Sequence, residues 1–293
     1  MIKTLIIFNP KAGLSYPASF QANFLRQYKS YNPKADLLWL ETLENFPTQL
    51  KELDFNSIEK IIIIGGDGTI KKTVDFILLN KLEIPLAIIA QGSANVLANS
   101  LGLPLRLKPA IKIAALGAIK PIDVGCLNKE HYFLIGLSLG HLSQVVLQTD
   151  YRLKAKMGIF AYLKTLLRAK ITAQHDFNFW LDGRAGQASG NSLVIVNALS
   201  VLKIKPKHFA DFCDGQLEML VLKNKNLWQL FCLGFFAWLN RRYLPYLFLK
   251  QGRKIIVTAA SFKDLPIQID GEELTVGKIE VEILPQRLKI ITK

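Results

Sequence analysis

Cysteine and histidine are both scarce in this sequence, and neither residue type forms a cluster. The three cysteines among the 293 residues, Cys126, Cys213 and Cys232, stand far apart, and no Cys-x-x-Cys or Cys/His group occurs. This spacing argues against a disulfide framework and against a structural zinc site. The first residues also lack the small-residue cleavage site of a signal peptide. We therefore expect the protein in the reducing cytoplasm.

Apolar runs long enough to cross a membrane are also missing. A transmembrane helix needs about 20 consecutive apolar residues. The strongly apolar segment 227–239 stops short of that length, at Asn240-Arg241-Arg242. Two interpretations stay open for this segment: a helix packed over a sheet, or a lip that touches membrane or acyl chains.

Acidic residues are outnumbered by basic ones, with 23 Asp+Glu against 37 Lys+Arg and a net charge of +14. Such a positive field attracts nucleic acid, an anionic membrane surface or a phosphorylated substrate. No RNA-binding signature or helix-turn-helix pattern is present, so no nucleic-acid partner is expected. We expect peripheral contact with an anionic membrane at its inner face, and homodimer formation stays open.

The first 122 residues alternate buried strands with helices. Continuous apolar, β-branched runs at 2–8, 59–64 and 84–90 predict strands buried on both faces, as in a parallel sheet. Helical patterns lie around and between them, at 18–29, 46–53, 70–80 and 94–101. This order predicts an α/β nucleotide-binding domain with a parallel sheet over residues 1–122.

After Asp123 the pattern changes to short strands separated by Gly, Asn and Asp. Strands are predicted at 132–137, 176–181, 192–196, 217–222, 254–258, 267–269, 279–283 and 288–291, and helices at 154–171 and 227–243. Short strands without regular helices between them predict a β-rich antiparallel sandwich over 123–285. The final segment, 286–293, is expected to return to the first domain.

A glycine-rich loop, Gly65-Gly66-Asp67-Gly68-Thr69, lies directly between a predicted buried strand and a predicted helix. Such a place exposes backbone N–H groups and the positive end of a helix dipole, which suits a phosphate. The Asp67 carboxylate makes sense there if a cation or a reacting hydroxyl is also present. Two further loops, 9–13 and 92–95, follow other strands of the same sheet, so the three loops predict one nucleotide site at its edge. Neither a Walker A loop nor a GxGxxG motif is present.

These loops resemble the soluble diacylglycerol kinase catalytic-domain family, which includes bacterial lipid kinases and the sphingosine and ceramide kinases. The resemblance rests first on Asn9-Pro-x-x-Gly13, Gly65–Thr69 and Gly92-Ser-Ala-Asn95. Later motifs follow in the same order, namely Asp123-Val-Gly125, Gly158-x-x-x-Tyr162, Asp211-Phe-Cys-Asp-Gly-Gln-Leu-Glu218 and Asp270-Gly-Glu272. The resemblance thus extends over essentially the whole chain.

The resemblance implies an ATP-dependent lipid kinase that transfers the γ-phosphate to a lipid hydroxyl, with diacylglycerol as the expected acceptor. The residues that it implies around the ATP phosphates and ribose are Asn9, Pro10, Lys11, Gly13, Thr42, Gly65, Gly66, Asp67, Gly68, Thr69, Ser93 and Asn95. Asp67 is expected to act through Mg²⁺.

The resemblance also assigns roles in the second half of the chain. Asp211, Asp214 and the backbone carbonyl of Gln216 are implied to hold a second Mg²⁺, an ion that prefers hard oxygen ligands. Glu272 is implied to be the catalytic base that takes the proton from the lipid hydroxyl, with Asp270 nearby. Judged on the residues alone, both stretches are also ordinary Asp-Gly turns.

Two positions depart from the pattern of the family. Lys71-Lys72 stands where the family usually has Asn-Glu, so a lysine there either reaches phosphate or alters nucleotide affinity. Val96 stands where the family usually has Asp, so one carboxylate is missing. Two alternatives stay open: an NAD kinase-like enzyme, which shares Gly-Gly-Asp-Gly, and a non-catalytic lipid-binding or regulatory protein that retains the kinase fold.

Overall fold

The structure is a computed structural model that describes residues 3–13, 16–42, 46–148, 165, 174–197, 212–223, 247–258 and 265–293. The chain forms two compact units. The first comprises residues 1–122 together with 287–293, and the second comprises residues 123–286. The chain passes from one unit to the other twice, within strand β5 (Ala118–Leu127) and within strand β16 (Ile279–Thr292).

The first unit alternates strands and helices along the chain. Its elements are β1 (Lys3–Phe8), α1 (Phe20–Tyr31), β2 (Asp36–Glu41), α2 (Phe46–Lys51), a 3-10 turn (Phe55–Ser57), β3 (Ile58–Gly65), α3 (Asp67–Leu79), β4 (Leu86–Ala90), α4 (Val96–Ser100) and α5 (Leu107–Leu116). The strands lie in the order β2-β1-β3-β4-β16, and every neighbouring pair is parallel. The predicted α/β fold with a parallel sheet is confirmed.

The unbroken apolar runs become the central strands of this sheet because both of their faces are covered. Ile61–Ile64 of β3 are at most 1% exposed. On one face, Ile62, Ile64 and Ile89 pack with Phe24 of α1 and Ile111 of α5 in a single core cluster. Burial on both faces explains why these strands do not alternate between polar and apolar residues.

The second unit is built almost entirely from antiparallel strands. Its further elements are β6 (His131–Phe133), β7 (Gly136–Gly140), α6 (His141–Gln148), β8 (His175–Leu181), β9 (Arg184–Gly190), β10 (Ser192–Val196), β11 (Leu217–Leu222), β12 (Leu247–Gly252), β13 (Lys254–Val257), β14 (Ile267–Ile269) and β15 (Glu272–Leu274). One sheet has the order β12-β11-β10-β7-β14-β15, and strands β16-β13-β8-β9 form the other layer.

The two layers of the second unit share one apolar core. Leu137, Ile195 and Met219 of the first layer belong to the same buried cluster as Phe177 and Ile255 of the second. The predicted antiparallel β-rich fold is therefore confirmed.

Two predicted strand assignments differ from the structure. Residues 132–137 were expected to form one strand, but the chain breaks between β6 and β7, because the backbone N–H groups of residues 134–136 donate to the Asp270 carboxylate. Conversely, the two strands expected at 279–283 and 288–291 form a single strand, β16. The helices predicted at 154–171 and 227–243 lie outside the described residues, apart from the isolated residue 165. Within the described part of the chain, no helix is both long and apolar enough to span a bilayer.

Candidate nucleotide and acceptor sites

Three loops follow the parallel strands β1, β3 and β4 and meet at one edge of the sheet of the first unit. They are residues 9–13, 65–69 and 92–95, and we call them the phosphate loops. The backbone N–H of Asn9 donates to the Ile64 carbonyl at 2.9 Å, and that of Gln91 donates to the Gly65 carbonyl at 2.8 Å. Because neighbouring strands are parallel, their carboxyl ends bring these loops together.

Asn9 joins the first phosphate loop to the second. Its side-chain Nδ2 donates to Thr69 Oγ1 at 2.8 Å, while its Oδ1 accepts from the Lys11 backbone N–H at 2.9 Å. The Asn9 amide therefore orders its own loop and orients the Thr69 hydroxyl at the start of α3. The asparagine and the threonine that were singled out in the sequence are direct neighbours.

Glycine is required where the phosphate loops approach one another. Gly13 has a φ of +74°, and a Cβ on it would overlap the Gln91 carbonyl oxygen. A Cβ on Gly92 would lie 2.7 Å from Gly66 Cα. By contrast, a Cβ on Gly68 would meet no atom within 4 Å, so the surface at Gly68 is open. Helix α3 begins beside it, at Asp67, and offers the backbone N–H groups and positive dipole end that attract phosphate.

Asp67 connects the second phosphate loop to the third. Its carboxylate accepts from the backbone N–H of Val96 at 3.2 Å and from that of Leu97 at 3.4 Å, at the start of α4. Burial raises the pKa of the Asp67 carboxyl above its ordinary value, against the opposing effect of the N–H donors of Val96, Leu97 and Asn95. Asp67 is thus a partly buried acid at the loop junction, and a bound cation would favour its ionised form.

The third phosphate loop is shaped by Asn95. This residue has a φ of +49°, in the left-handed region that asparagine tolerates better than most residues. Its Oδ1 accepts from the Gly92 N–H and its Nδ2 donates to the Gly92 carbonyl, both at 2.8 Å. The Asn95 amide is therefore used within the loop. Ser93, between them, is exposed.

The remaining predicted nucleotide residues lie at the same edge or beside it. Thr42 follows β2, and its backbone N–H donates to the Phe8 carbonyl at 2.8 Å. Pro10 is half-buried and Lys11 is exposed in the first phosphate loop.

The two departures from the family pattern have different structural consequences. Lys71, which is 8% exposed, forms an ion pair with Asp75 one turn further along α3, whereas Lys72 is exposed. The Lys71 ammonium therefore has a carboxylate partner within its own helix. Val96 contributes its backbone N–H to Asp67 and brings no carboxylate to the junction.

In the second unit, Asp270 and Glu272 occupy a tight hairpin between β14 and β15. Asp270 and Gly271 have φ values of +48° and +93°, the pattern of a two-residue type I′ turn. The Asp270 carboxylate accepts from the backbone N–H groups of Leu134, Ile135 and Gly136 at 2.8, 3.0 and 3.0 Å. Asp270 thus anchors the hairpin to the segment before β7, while Glu272 is exposed at the start of β15.

The predicted metal loop is only partly described, because Asp211 lies outside the described residues. Asp214 Oδ1 accepts from the Gln216 N–H at 2.9 Å, which closes a local Asx turn. In the described ranges, no group of three His, Cys, Asp or Glu side chains is arranged to hold a metal ion.

The Asp123 carboxylate anchors two segments that are distant in the sequence, a contact that its sequence motif did not predict. It is 1% exposed, and its Oδ2 accepts from the Gly215 N–H at 2.7 Å while its Oδ1 accepts from the Gln286 N–H at 2.8 Å. One carboxylate therefore fixes both the loop that contains Asp214 and the point where β16 leaves the second unit. The sequence offered no signal for this, because the three groups are distant along the chain.

The chain is similar in fold and in sequence to proteins described as diacylglycerol kinases or lipid kinases. The fold is that of a crystal structure described as a diacylglycerol kinase from Bacillus anthracis, with a TM-score of 0.78 and 22% sequence identity over 99% of this chain and 97% of that one. The diacylglycerol kinase of Staphylococcus saprophyticus is 25% identical over 279 residues, covering 91% of this chain and 88% of its own. A protein of Pectobacterium atrosepticum named "Probable lipid kinase YegS-like" is 25% identical over 248 residues, covering 78% and 76%.

A match to a known protein family covers the part of the chain that contains the phosphate loops. Residues 3–127 match the diacylglycerol kinase catalytic domain. This domain contains all three phosphate loops, and the relatives that match most of the chain are named as a diacylglycerol kinase and a probable lipid kinase, so the chain is related to the diacylglycerol kinase catalytic-domain family.

Proposed function

We propose that this protein transfers the γ-phosphate of ATP to the hydroxyl of diacylglycerol and so forms phosphatidic acid. The observation that carries the proposal is the junction of the three phosphate loops, where Asp67 and the open surface at Gly68 lie at the start of α3. The match of residues 3–127 to the diacylglycerol kinase catalytic domain supports a lipid rather than NAD as the acceptor.

The phosphate loops would bind the nucleotide through their backbone. Helix α3 begins at Asp67, and the space beside Gly68, where a Cβ would meet no atom within 4 Å, leaves room for phosphate oxygens at the start of the helix. The Asn9 amide donates to the Thr69 hydroxyl and so orients it at the start of α3. Asn9, Pro10, Lys11, Gly13, Thr42, Gly65, Gly66, Asp67, Gly68, Thr69, Ser93 and Asn95 are the proposed nucleotide residues.

Asp67 is the residue that fits a magnesium ion at this site. Its carboxylate oxygens are already oriented by the Val96 and Leu97 N–H groups, and burial raises the pKa of the Asp67 carboxyl, an effect that a bound cation would oppose. Bound there, Mg²⁺ would neutralise charge on the phosphates. Asp211, Asp214 and the Gln216 carbonyl are proposed to hold a second ion that orders their loop.

Glu272 is proposed as the general base. It would accept the proton of the acceptor hydroxyl as that oxygen bonds to the γ-phosphorus, while the bond to the bridging β,γ-oxygen breaks and ADP leaves. Phosphoryl transfer depends mainly on positioning and charge neutralisation, so one base is sufficient. Its exposure on the hairpin leaves it accessible to a substrate, whereas Asp270 is committed to the backbone of residues 134–136.

The acceptor resides in a bilayer, so the protein must approach a membrane from the cytoplasmic side. The net charge of +14 favours anionic lipid. We therefore propose peripheral binding. Co-sedimentation with vesicles should increase with their phosphatidylglycerol content and decrease with added salt, and binding indifferent to both would contradict this part of the proposal.

The central experiment measures ³²P transfer from ATP and Mg²⁺ into diacylglycerol, a sphingoid base and phosphatidylglycerol in mixed micelles, with NAD as a further acceptor. We expect labelled phosphatidic acid from the wild type. Asp67→Ala and Glu272→Gln should each lower kcat by about 100-fold or more. Glu273→Gln, which changes the exposed neighbour on the same strand, should retain activity.

The alternatives give distinct results. Labelled NAD without labelled lipid would identify an NAD kinase-like enzyme. Binding of ATP with no labelled acceptor would favour a non-catalytic protein that retains the fold. If only the sphingoid base or only phosphatidylglycerol became labelled, the protein would still be a lipid kinase, with that lipid instead of diacylglycerol as its acceptor.

A further inference from the structure

The hairpin of β14 and β15 contains an unusual side-chain bridge. Gln268 Oε1 accepts from the backbone N–H of Gly271, in the turn of the same hairpin, at 2.6 Å. Its Nε2 donates to Ser138 Oγ on the neighbouring strand β7 at 2.8 Å. A single amide therefore connects the turn directly preceding Glu272 to the centre of the sheet.

The connection continues into α6. Ser138 Oγ lies 2.8 Å from Ser143 Oγ, and both serines are fully buried. Buried hydroxyl groups need hydrogen-bond partners, and here they supply one another and the Gln268 amide. The turn at Gly271 is thus linked through Gln268 and Ser138 to a buried point on α6.

This bridge is distinct from the anchor made by Asp270. The Asp270 carboxylate holds the first turn residue to the backbone of residues 134–136, while Gln268 holds the second turn residue, Gly271. In a type I′ hairpin, the N–H of the second turn residue is not part of the strand ladder. Without Gln268, this N–H would turn to solvent, and the residue next to Glu272 would lose its restraint.

We propose that Gln268 is a positioning residue for Glu272: it fixes the Gly271 peptide and so holds the proposed base at a constant place relative to the acceptor hydroxyl. The inference rests on the proposed function of Glu272. An amide suits this task because it accepts from the peptide N–H at one end and donates to a hydroxyl at the other, which fixes the orientation of the side chain. Displacement of a catalytic group by about 1 Å is enough to lower a rate by up to 100-fold.

The test is a double-mutant cycle between Gln268→Met and Glu272→Gln. Methionine keeps the length of the side chain and removes both hydrogen bonds. We expect Gln268→Met alone to lower kcat by about tenfold with the KM for ATP unchanged, because the nucleotide residues lie in the other unit. In the Glu272→Gln background, the same substitution should cause no further loss, since there is no longer a base to position.

Two further measurements separate positioning from folding. Amide hydrogen exchange at Gly271 should accelerate by at least tenfold in Gln268→Met, while the thermal unfolding midpoint stays within a few degrees of the wild type. Ser138→Ala removes the far end of the bridge and leaves the Gly271 bond, so its effect on kcat should be smaller than that of Gln268→Met.

Several results would overturn the inference. They are full activity of Gln268→Met, an equal loss in both backgrounds of the cycle, unchanged exchange at Gly271, or a rise in the KM for ATP with kcat unchanged. Failure of the proposed function is recognised separately, because the wild type would then label no lipid or Glu272→Gln would be fully active. Either of those results would also remove the role given to Gln268.

Discussion

Asp67 and Val96 are joined by a hydrogen bond, with 3.2 Å between Asp67 Oδ2 and the Val96 backbone nitrogen. This bond connects two phosphate loops that follow different strands, β3 and β4. The carboxylate that is proposed to act through magnesium therefore also orders the start of α4. The function of Asp67 and the geometry of the third phosphate loop are consequently coupled.

The first prediction concerns the pH dependence of stability at Asp67. Because burial raises its pKa in the folded state, the folded protein holds the proton more tightly than the unfolded chain, and ionised Asp67 lowers stability at neutral pH. This loss is absent below the unfolded pKa and develops fully once the pH exceeds the folded pKa. Asp67→Asn, measured without metal, should therefore show a Tm at or above that of the wild type at pH 8, and this advantage should disappear near pH 4.

The exposed Asp36→Asn serves as the control for this comparison. A Tm of Asp67→Asn well below the wild type at pH 8 would show that the hydrogen bonds to Val96 and Leu97 outweigh the desolvation of the carboxylate.

The second prediction concerns Gly68, where an added methyl group should affect ATP binding without affecting stability. Gly68→Ala adds a Cβ in open space within α3, where alanine favours the helix, so the Tm should be unchanged or higher. The same methyl group would occupy the proposed phosphate surface, so the Kd for ATP should rise by about tenfold or more. Gly277→Ala, also in open space but in the second unit, should change neither quantity. Unchanged ATP binding by Gly68→Ala would contradict the proposed phosphate position.

The third prediction concerns the ion pair between Lys71 and Asp75. Since the Lys71 side chain is 10% exposed and that of Asp75 29%, the pair is only partly screened by solvent. Lys71→Met and Asp75→Asn should each destabilise the protein, and urea unfolding of the double variant should reveal a coupling free energy of about 1 kcal/mol.

Nucleotide binding tests the same pair independently. Lys71→Met should leave the Kd for ATP within about twofold of the wild type, because the ammonium contacts Asp75. Lys72→Met controls for loss of a positive charge at an exposed neighbour. A much weaker Kd for ATP in Lys71→Met, with stability retained, would instead show that Lys71 contacts phosphate.

The fourth prediction concerns Glu280, which lies 2.6 Å from Lys254 Nζ and 2.9 Å from Lys278 Nζ. These two cations lower the pKa of the Glu280 carboxyl from 4.5 to about 2. Its contribution to stability is present above pH 4.5 and lost as the pH falls toward 2. Glu280→Gln should thus have a slightly lower Tm than the wild type at pH 7, and the difference should vanish near pH 2 and in 1 M salt. A difference that persists in both conditions would exclude an electrostatic origin.

The sequence predicted secondary structure best where a single local effect, such as burial or a positive φ, determines the conformation. The isoleucine run of β3 predicts a strand covered on both faces, because a short, continuous run of β-branched apolar residues favours a strand and all four isoleucines need a buried environment. Asp270-Gly271 predicts a tight turn for a similarly local reason, since glycine accepts a positive φ at little cost. The α/β plan, the antiparallel second half and the positions of the phosphate loops followed from such signals.

Long-range hydrogen bonds could not be predicted in this way. The break between β6 and β7 depends on Asp270, more than 130 residues further along the chain. The two anchors made by Asp123, at Gly215 and Gln286, likewise join positions 92 and 163 residues away. Gln268 looked like an ordinary polar residue in a short strand.

The sequence by itself thus determined the classes of the two units, the order of the motifs and the identity of the residues at the phosphate loops, because periodicity and glycine placement act over a few residues. Only the tertiary structure decided what those side chains contact. It directed the Asp67 carboxylate to the start of α4, the Asp270 carboxylate to the backbone before β7, and the Lys71 ammonium to Asp75. The physical reason is that a polar side chain bonds to whichever partner the packed backbone brings within about 3 Å, and that partner is set by the fold rather than by neighbours in the sequence.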